Sequence, residues 1–317
     1  MSVSRHTNAV KSLAKEIGFD ACGIAPATFL EKDALHLEAW LSAKYHADMK
    51  WMENHFEKRT NPAILVEGAK SVIVVLLNYF PQNYPFKTSK YKISRYALGI
   101  DYHKVIKEKL TIFFNRINEE IIPIEGRCFV DSAPVLERAL AREAGLGWMG
   151  KNSLLLSKNL GSYFFIGELI VNAEFEYDVP TLNQCGTCTK CIDSCPTQAI
   201  VSPGVVDSNR CLSYHTIENR NEIPSYIGES MNGRVFGCDI CQEVCPWNGK
   251  SKANNIPEFA PSTELLNMND ELFEEIDENK FETLFAKTAV KRTKFSGFVR
   301  NIRAAKEGEN LSAYDLL

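Results

Sequence analysis

The chain has no long hydrophobic run. Its most apolar stretch, Val72 to Leu77 with Tyr79 and Phe80 beyond, falls far short of the roughly 20 residues a bilayer-spanning helix needs. That stretch reads as a buried strand, and no membrane partner is expected. The N-terminal MSVSRHTNAVKSLAKEIGFD has neither an apolar core region nor a twin arginine, the marks of export, so a cytoplasmic location is expected. Charge of one sign is scarce too: 36 Lys and Arg against 40 Asp and Glu give −4. Nothing pulls the whole molecule toward nucleic acid, and any such binding must rest on a local patch. No G-x-G-x-x-G follows a strand-like segment and no P-loop occurs, which removes the usual phosphate-binding signatures. At 317 residues, 45% hydrophobic and 24% charged, the composition is that of a globular protein of one or two domains.

Cysteine, by contrast, is concentrated. Eight of the ten fall between residues 185 and 245: Cys185, Cys188, Cys191 and Cys195-Pro196, a lone Cys211, then Cys238, Cys241 and Cys245-Pro246. The first run has the C-x2-C-x2-C-x3-C-P spacing of bacterial ferredoxins, in which three thiolates hold one 4Fe-4S cluster and the cysteine before proline serves the other. One cluster therefore takes Cys185, Cys188, Cys191 and Cys245, and the second takes Cys195, Cys211, Cys238 and Cys241. Zinc ribbons share the paired C-x2-C units but need only four ligands and no Cys-Pro ending. A disulfide framework belongs to small secreted chains. Cys22 and Cys128 lie in apolar stretches and read as core thiols.

Ahead of this module, periodicity predicts alternating elements: helices over 7–18, 31–43 and 101–118, strands over 20–25, 71–80 and 127–130, a helix opened by Pro134, and strands over 153–157 and 163–171. The expected fold is α+β or α/β: a layered domain over 1–178, a ferredoxin-like module with two 4Fe-4S clusters over 179–250 and a short helical tail over 251–317. Clusters carry single electrons, and a layered domain this large should hold whatever accepts them. Taken alone, Asp101-x-His103 reads as a helix N-cap rather than a cobalt ligand, Asp131 as a strand-end cap, Arg59 equally as a ligand or a surface ion pair, and the basic stretch 286–306 as a solvated face.

These motifs, in order, resemble epoxyqueuosine reductases. The likeness rests on EKRTNPAILVEGAKSVIVV (57–75), SRYALGIDYH (94–103), VDSAPVLERALAREAGLGWMGKNSLLL (130–156), GSYFFIGELI (161–170), the first cysteine run, RCLSYHTIE (210–218) and GCDICQEVCPWN (237–248). The resemblance implies base-off cobalamin lying between the layered domain and the clusters, with Arg59, Asp131, Asn152, Leu155, Ile166, Ser213, Asp239 and Ile240 matching its contacts. It makes Asp131 the general acid for epoxide opening, a carboxyl that an apolar pocket would keep neutral. It places tRNA, through an anticodon loop carrying epoxyqueuosine, against Lys291, Arg292, Lys294, Arg300 and Asn301, with Phe295 or Phe298 packing or stacking. It also implies an external low-potential electron donor and a monomer. Many family members continue into HEAT-like repeats, whereas this chain ends at Leu317, and Ser94 stands where some carry a cysteine near the cobalamin. Two other functions fit the cysteine module: a reductive dehalogenase-like cobalamin enzyme, and an iron-sulfur electron carrier with no chemistry of its own.

Overall fold

Val72 to Leu77 does form a strand, and it is covered on both sides. In this computed structural model, which describes residues 2–86 and 89–314, the central sheet contains β1 (Ala21–Pro26), β2 (Ser71–Asn78), β3 (Gly126–Phe129) and β4 (Phe164–Val171), in the order β1-β2-β4-β3. Every pairing is antiparallel, which makes the domain α+β. Because apolar residues occupy both faces, β2 is buried at all eight positions and reads as a continuous apolar run instead of an alternating one. Ile24, Ile73, Val75, Phe165 and Leu169 pack beneath α1 (Val3–Ile17) and α2 (Tyr102–Glu120). Ala25, Val74, Leu76, Phe129 and Ile170 pack on the other side against α3 (Glu137–Glu143) and Leu155. The Asp101 side chain accepts the His103 backbone N–H, so the expected N-cap is present.

Two expected elements are shorter than their patterns. Pro134 does not open α3, which starts at Glu137. Residues 130–136 instead make tight turns, with Val135 N–H donating to the Ala133 carbonyl at 2.8 Å and Asp131 at φ +52°. The strand expected over 153–157 shrinks to Leu155–Leu156, hairpinned to Trp148–Met149, because Ser153 takes a left-handed φ of +64° and cannot extend.

The cysteine module is tied onto the start of β4. Gln242 donates to the Ser162 carbonyl at 3.1 Å and to its hydroxyl at 3.0 Å, while the Asn248 side chain accepts the Ser162 N–H at 2.7 Å. A second core gathers Phe86, Tyr91, Leu98, Val235, Phe236, Phe273, Phe281, Phe285 and Phe298. The C-terminal helices therefore share one core with Phe86, residues 91–98 and residues 231–236. Helix α4 (Leu212–Ile217) and the long α5 (Lys294–Tyr314) pack here.

Candidate active site

Two one-turn helices, Lys190–Asp193 and Ile240–Glu243, pack together and bring the cysteine runs into register. Cys191 lies within electrostatic reach of Cys245, Cys185 and Cys188, and these four thiols line one cavity with Lys151, Asn152 and Trp247. Cys238 faces Cys211, Cys211 faces Cys195, and Cys241 faces Cys238, Cys211 and then Cys191. Among the described residues no three His, Cys, Asp or Glu side chains converge closely enough to share one ion. Two quartets, each drawing thiols from both cysteine runs, match the ligand pattern of two cubanes with a thiolate at each corner.

Across the sheet end, four segments meet at Asp131. The Tyr102 hydroxyl donates to Asp131 Oδ2, and His103 Nε2 lies 3.3 Å from the same oxygen. The other imidazole nitrogen, Nδ1, is 2.7 Å from Asp101 Oδ1. Glu137 accepts the Asp131 backbone N–H. Burial opposes charge on the imidazole, but hydrogen bonds to Asp101 and Asp131 outweigh it and push His103 up to about 9. Burial likewise favours neutral Asp131, yet hydrogen bonds from His103 and Tyr102 pull its carboxyl below the ordinary range. Those hydrogen bonds work against the raised Asp131 pKa that an apolar pocket would give: the carboxyl shares a proton with the His103 imidazole, and its side chain is 56% exposed. The residues with raised pKa lie behind it. Burial and then the charge of Asp131 push Glu137 up to about 8, and the wholly buried Glu168 is raised as well.

The other expected site residues divide. Asn152 is buried, its amide 3.4 Å from the Cys241 carbonyl. Leu155 and Ile166 pack on the α3 side of the sheet. Ser213 sits in the first turn of α4, next to Cys211. Asp239, buried between Cys238 and Cys241, accepts the Arg95 backbone N–H at 2.9 Å and Nη1 at 3.1 Å. Ile240 follows at the start of its helix. Gly237 precedes them with φ +71°, where a Cβ would stand 2.2 Å from Ser94 Oγ, so only glycine fits. Arg59 is neither a surface ion pair nor free: its guanidinium donates to the Asn54 and Trp51 carbonyls, 3.1 and 2.9 Å away. Its described hydrogen bonds stay within its own loop.

The basic segment splits. Lys291, Arg292 and Lys294 are exposed, with Arg292 paired to Glu218 at 2.6 Å and within electrostatic reach of Asp131. Arg300 and Asn301 need correction as RNA contacts. Arg300 is 8% exposed and Asn301 0%. The Arg300 guanidinium donates to the His215, Asn219 and Asn221 carbonyls, and the Asn301 amide to the Thr216 and Val235 carbonyls. Phe298 is likewise core, and Phe295 packs on Phe281. Polar residues were expected on the surface, but a helix packed over carbonyl ends needs donors pointing inward.

The comparisons with known proteins bear on this arrangement. Residues 184–248 match a 4Fe-4S double cluster binding domain, and residues 59–132 match the family model "Epoxyqueuosine reductase QueG, DUF1730". An epoxyqueuosine reductase from Leadbetterella byssophila is 50% identical over 302 residues, 95% of this chain and 99% of the relative. One from Cellulophaga algicola is 51% identical over 298 residues, 94% of this chain and 97% of the relative. This chain belongs to the epoxyqueuosine reductase family. A crystal structure of an epoxyqueuosine reductase with an epoxyqueuosine-modified tRNA-Tyr stem loop superposes with a TM-score of 0.87 at 30% identity, covering 98% of this chain and 84% of that one. A Bacillus subtilis family structure, described as having its catalytic aspartate loop swung out of the active site, gives 0.88 at 29% identity, with the same coverage of both chains. A catabolic reductive dehalogenase shares the fold only, at 15% identity and a TM-score of 0.50. The dehalogenase alternative is thus distant, and family membership answers the bare electron carrier. Epoxyqueuosine reductases use two 4Fe-4S clusters and cobalamin, and the double-cluster match supplies the first of these here.

Sequence reasoning missed Tyr102, His103, Arg95, Glu137 and Glu168 as site residues. All five lie inside the motifs that carry the resemblance; the Asp101-x-His103 spacing marks His103 only as part of an N-cap, and the other four have no spacing that marks them. Among the described residues no helix is long and apolar enough to cross a membrane.

Proposed function

We propose that this chain reduces epoxyqueuosine to queuosine at the wobble position of tRNA, with Asp131 as the acid at the epoxide oxygen. The observation that carries this is the convergence of Tyr102, His103 and Arg292 on one exposed carboxylate at the sheet end. Opening an epoxide leaves an alkoxide, which departs poorly unless a proton arrives in the transition state. The Asp131–His103 pair holds one such proton at neutral pH, and Asp101 and Tyr102 fix the pair's orientation. Cobalamin, when bound, supplies a low-valent metal centre able to take electrons from the clusters and act on the epoxide carbon. The chain's donor set fits it. Leu155, Ile166 and Ile240 would offer apolar contact to the corrin, and Ser213, Asn152 and Asp239 would offer polar groups for its amide fringe, while Arg59 would act by bracing its own loop. His103 has both nitrogens engaged by carboxylates, so it is committed to orienting Asp131.

The first quartet serves electron entry from an external low-potential donor, since Cys185 and Cys188 sit among exposed residues while the second quartet is deeper and holds Asp239. Lys291, Arg292 and Lys294 grip the anticodon stem loop through phosphates. The Asp131 loop in this reading swings, as that of the Bacillus subtilis relative does. In this reading the enzyme works as a monomer, in the cytoplasm where its tRNA is. Anaerobic purification with cobalamin, reduction, and mass analysis of nucleosides from epoxyqueuosine-containing tRNA test the reading. Queuosine should accumulate, and unchanged epoxyqueuosine with both clusters loaded would refute it.

A further inference from the structure

Reducing an epoxide to an alkene takes up two electrons and two protons and releases one water, yet the Asp131–His103 pair holds a single transferable proton. Resting on the function proposed above, we propose that Glu137 and Glu168 form a buried proton store behind Asp131 that supplies the second proton of each turnover. Glu168 lies mid-strand in β4, flanked by Val74 of β2 and Phe129 of β3. It is 0% exposed, and its carboxyl oxygens have no ordinary donor, with the Glu137 carboxyl as the side chain close enough to share a proton. A charge at such a place, with no cation and only a second carboxyl beside it, is far less stable than the neutral acid, so Glu168 carries a proton. Ile166, two residues earlier on the same face, is one of the proposed corrin contacts, which puts the store at the edge of the reaction site. Glu137 opens α3, the helix lying across β4, and bridges the gap by holding the Asp131 N–H.

The charged groups around the pair favour holding protons there. Glu168 faces Glu137 and Asp131 and no cation. Glu137 faces Asp131, Arg138 and His103. The first proton passes from the Asp131–His103 pair to the epoxide oxygen as one C–O bond breaks, leaving a hydroxyl. The emptied pair is refilled from Glu137, and Glu137 from Glu168. The second proton then joins the hydroxyl as the remaining C–O bond breaks, giving water and the C=C bond. Both electrons arrive singly through the clusters from the one-electron donor, and solvent refills the store between turnovers.

Infrared difference spectra of the cluster-loaded protein, wild type against Glu168→Gln, test the store without turnover. The wild type should show the carbonyl stretch of a protonated carboxyl that the variant lacks, and a second such band should fade as pH rises through about 8, the Glu137 value. With tRNA stem loop, Glu168→Gln should lower kcat at least ~10-fold at unchanged KM, and the alkaline fall in kcat should move from its wild-type position. If Glu168→Gln fails a thermal-melt check, Glu137→Gln carries the same readings through loss of the band that titrates near 8. Identical spectra for wild type and variant would overturn the store, as would a variant with wild-type kcat and pH profile. A wild type that never converts epoxyqueuosine would refute the proposed function instead, and the spectra would still decide the store.

Discussion

Two carboxylates, Asp131 and Asp239, lie within electrostatic reach of the same Tyr96 ring, and their partners could hardly differ more. Asp239 is buried and held by the main-chain and side-chain nitrogens of Arg95, a cation that does not give up its proton. Asp131 is more than half exposed and held by a phenol and an imidazole, both of which carry transferable protons. A carboxylate locked by arginine shapes a cavity, and one held by titratable groups can do acid chemistry. The difference lies in the partners rather than in the aspartates.

That contrast can be broken at each end. Asp131→Asn keeps the shape and removes the acid: turnover should fall by roughly 10²- to 10⁴-fold with iron content and KM for the stem loop unchanged. A variant with near wild-type turnover would move the acid elsewhere. Arg95→Met leaves Asp239 buried without its partner and should cost about 3–5 kcal/mol in urea unfolding. An unchanged unfolding midpoint would mean that the Ser94 hydroxyl, which also hydrogen-bonds Asp239, compensates the carboxylate alone. Cys211→Ser should halve the iron content by removing the second cluster while sparing the first; equal loss of both in a folded variant would contradict the interleaved ligand sets.

The next effect is smaller and concerns RNA. Glutamate at Lys291, Arg292 and Lys294 should lower the log–log salt slope of tRNA binding by roughly 0.7 to 0.9 per lost phosphate contact. Glutamate at Arg300, by contrast, should lower the melting temperature and leave the slope alone, because that guanidinium is spent on carbonyls. Equal slopes for wild type and the triple variant would return 291–294 to an ordinary solvated face. The smallest effect is on stability against pH. His103 is raised to about 9, so its contribution is complete below its ordinary value of 6.5 and is lost as pH rises through about 9. Asp131 is depressed, so its contribution disappears as pH falls below the ordinary carboxylate range. His103→Asn should flatten the alkaline loss seen in thermal melts.

The cysteine module was readable because its chemistry is local: ligand spacing within one short run dictates which thiolates can meet. The strands were readable for a similar reason, since β2 is apolar without a break from Val72 to Leu77 when both faces are covered. The acid site was not. Asp131, Tyr102 with His103, Glu137 and Glu168 stand on four separate elements, and only the antiparallel sheet order brings them together. Pro134 suggested a helix start, but the loop that presents Asp131 needed those residues for its turns. Arg300-Asn301 shows the reverse failure: polar residues in a basic stretch that the fold uses as internal donors.

Helix α4 is six residues long, about 9 Å of rise at 1.5 Å per residue. Cys211 stands at its head. Its tail is fastened to the basic turn at 291–294, where Glu218 takes Arg292 and Arg220 reaches the Arg292 carbonyl, and Arg300 and Asn301 bolt its last carbonyls to α5. In the proposed function the basic turn that meets the stem loop and the cysteine that holds the second cluster are thus opposite ends of one short strut, and a single rigid piece would set the spacing between substrate and electron source.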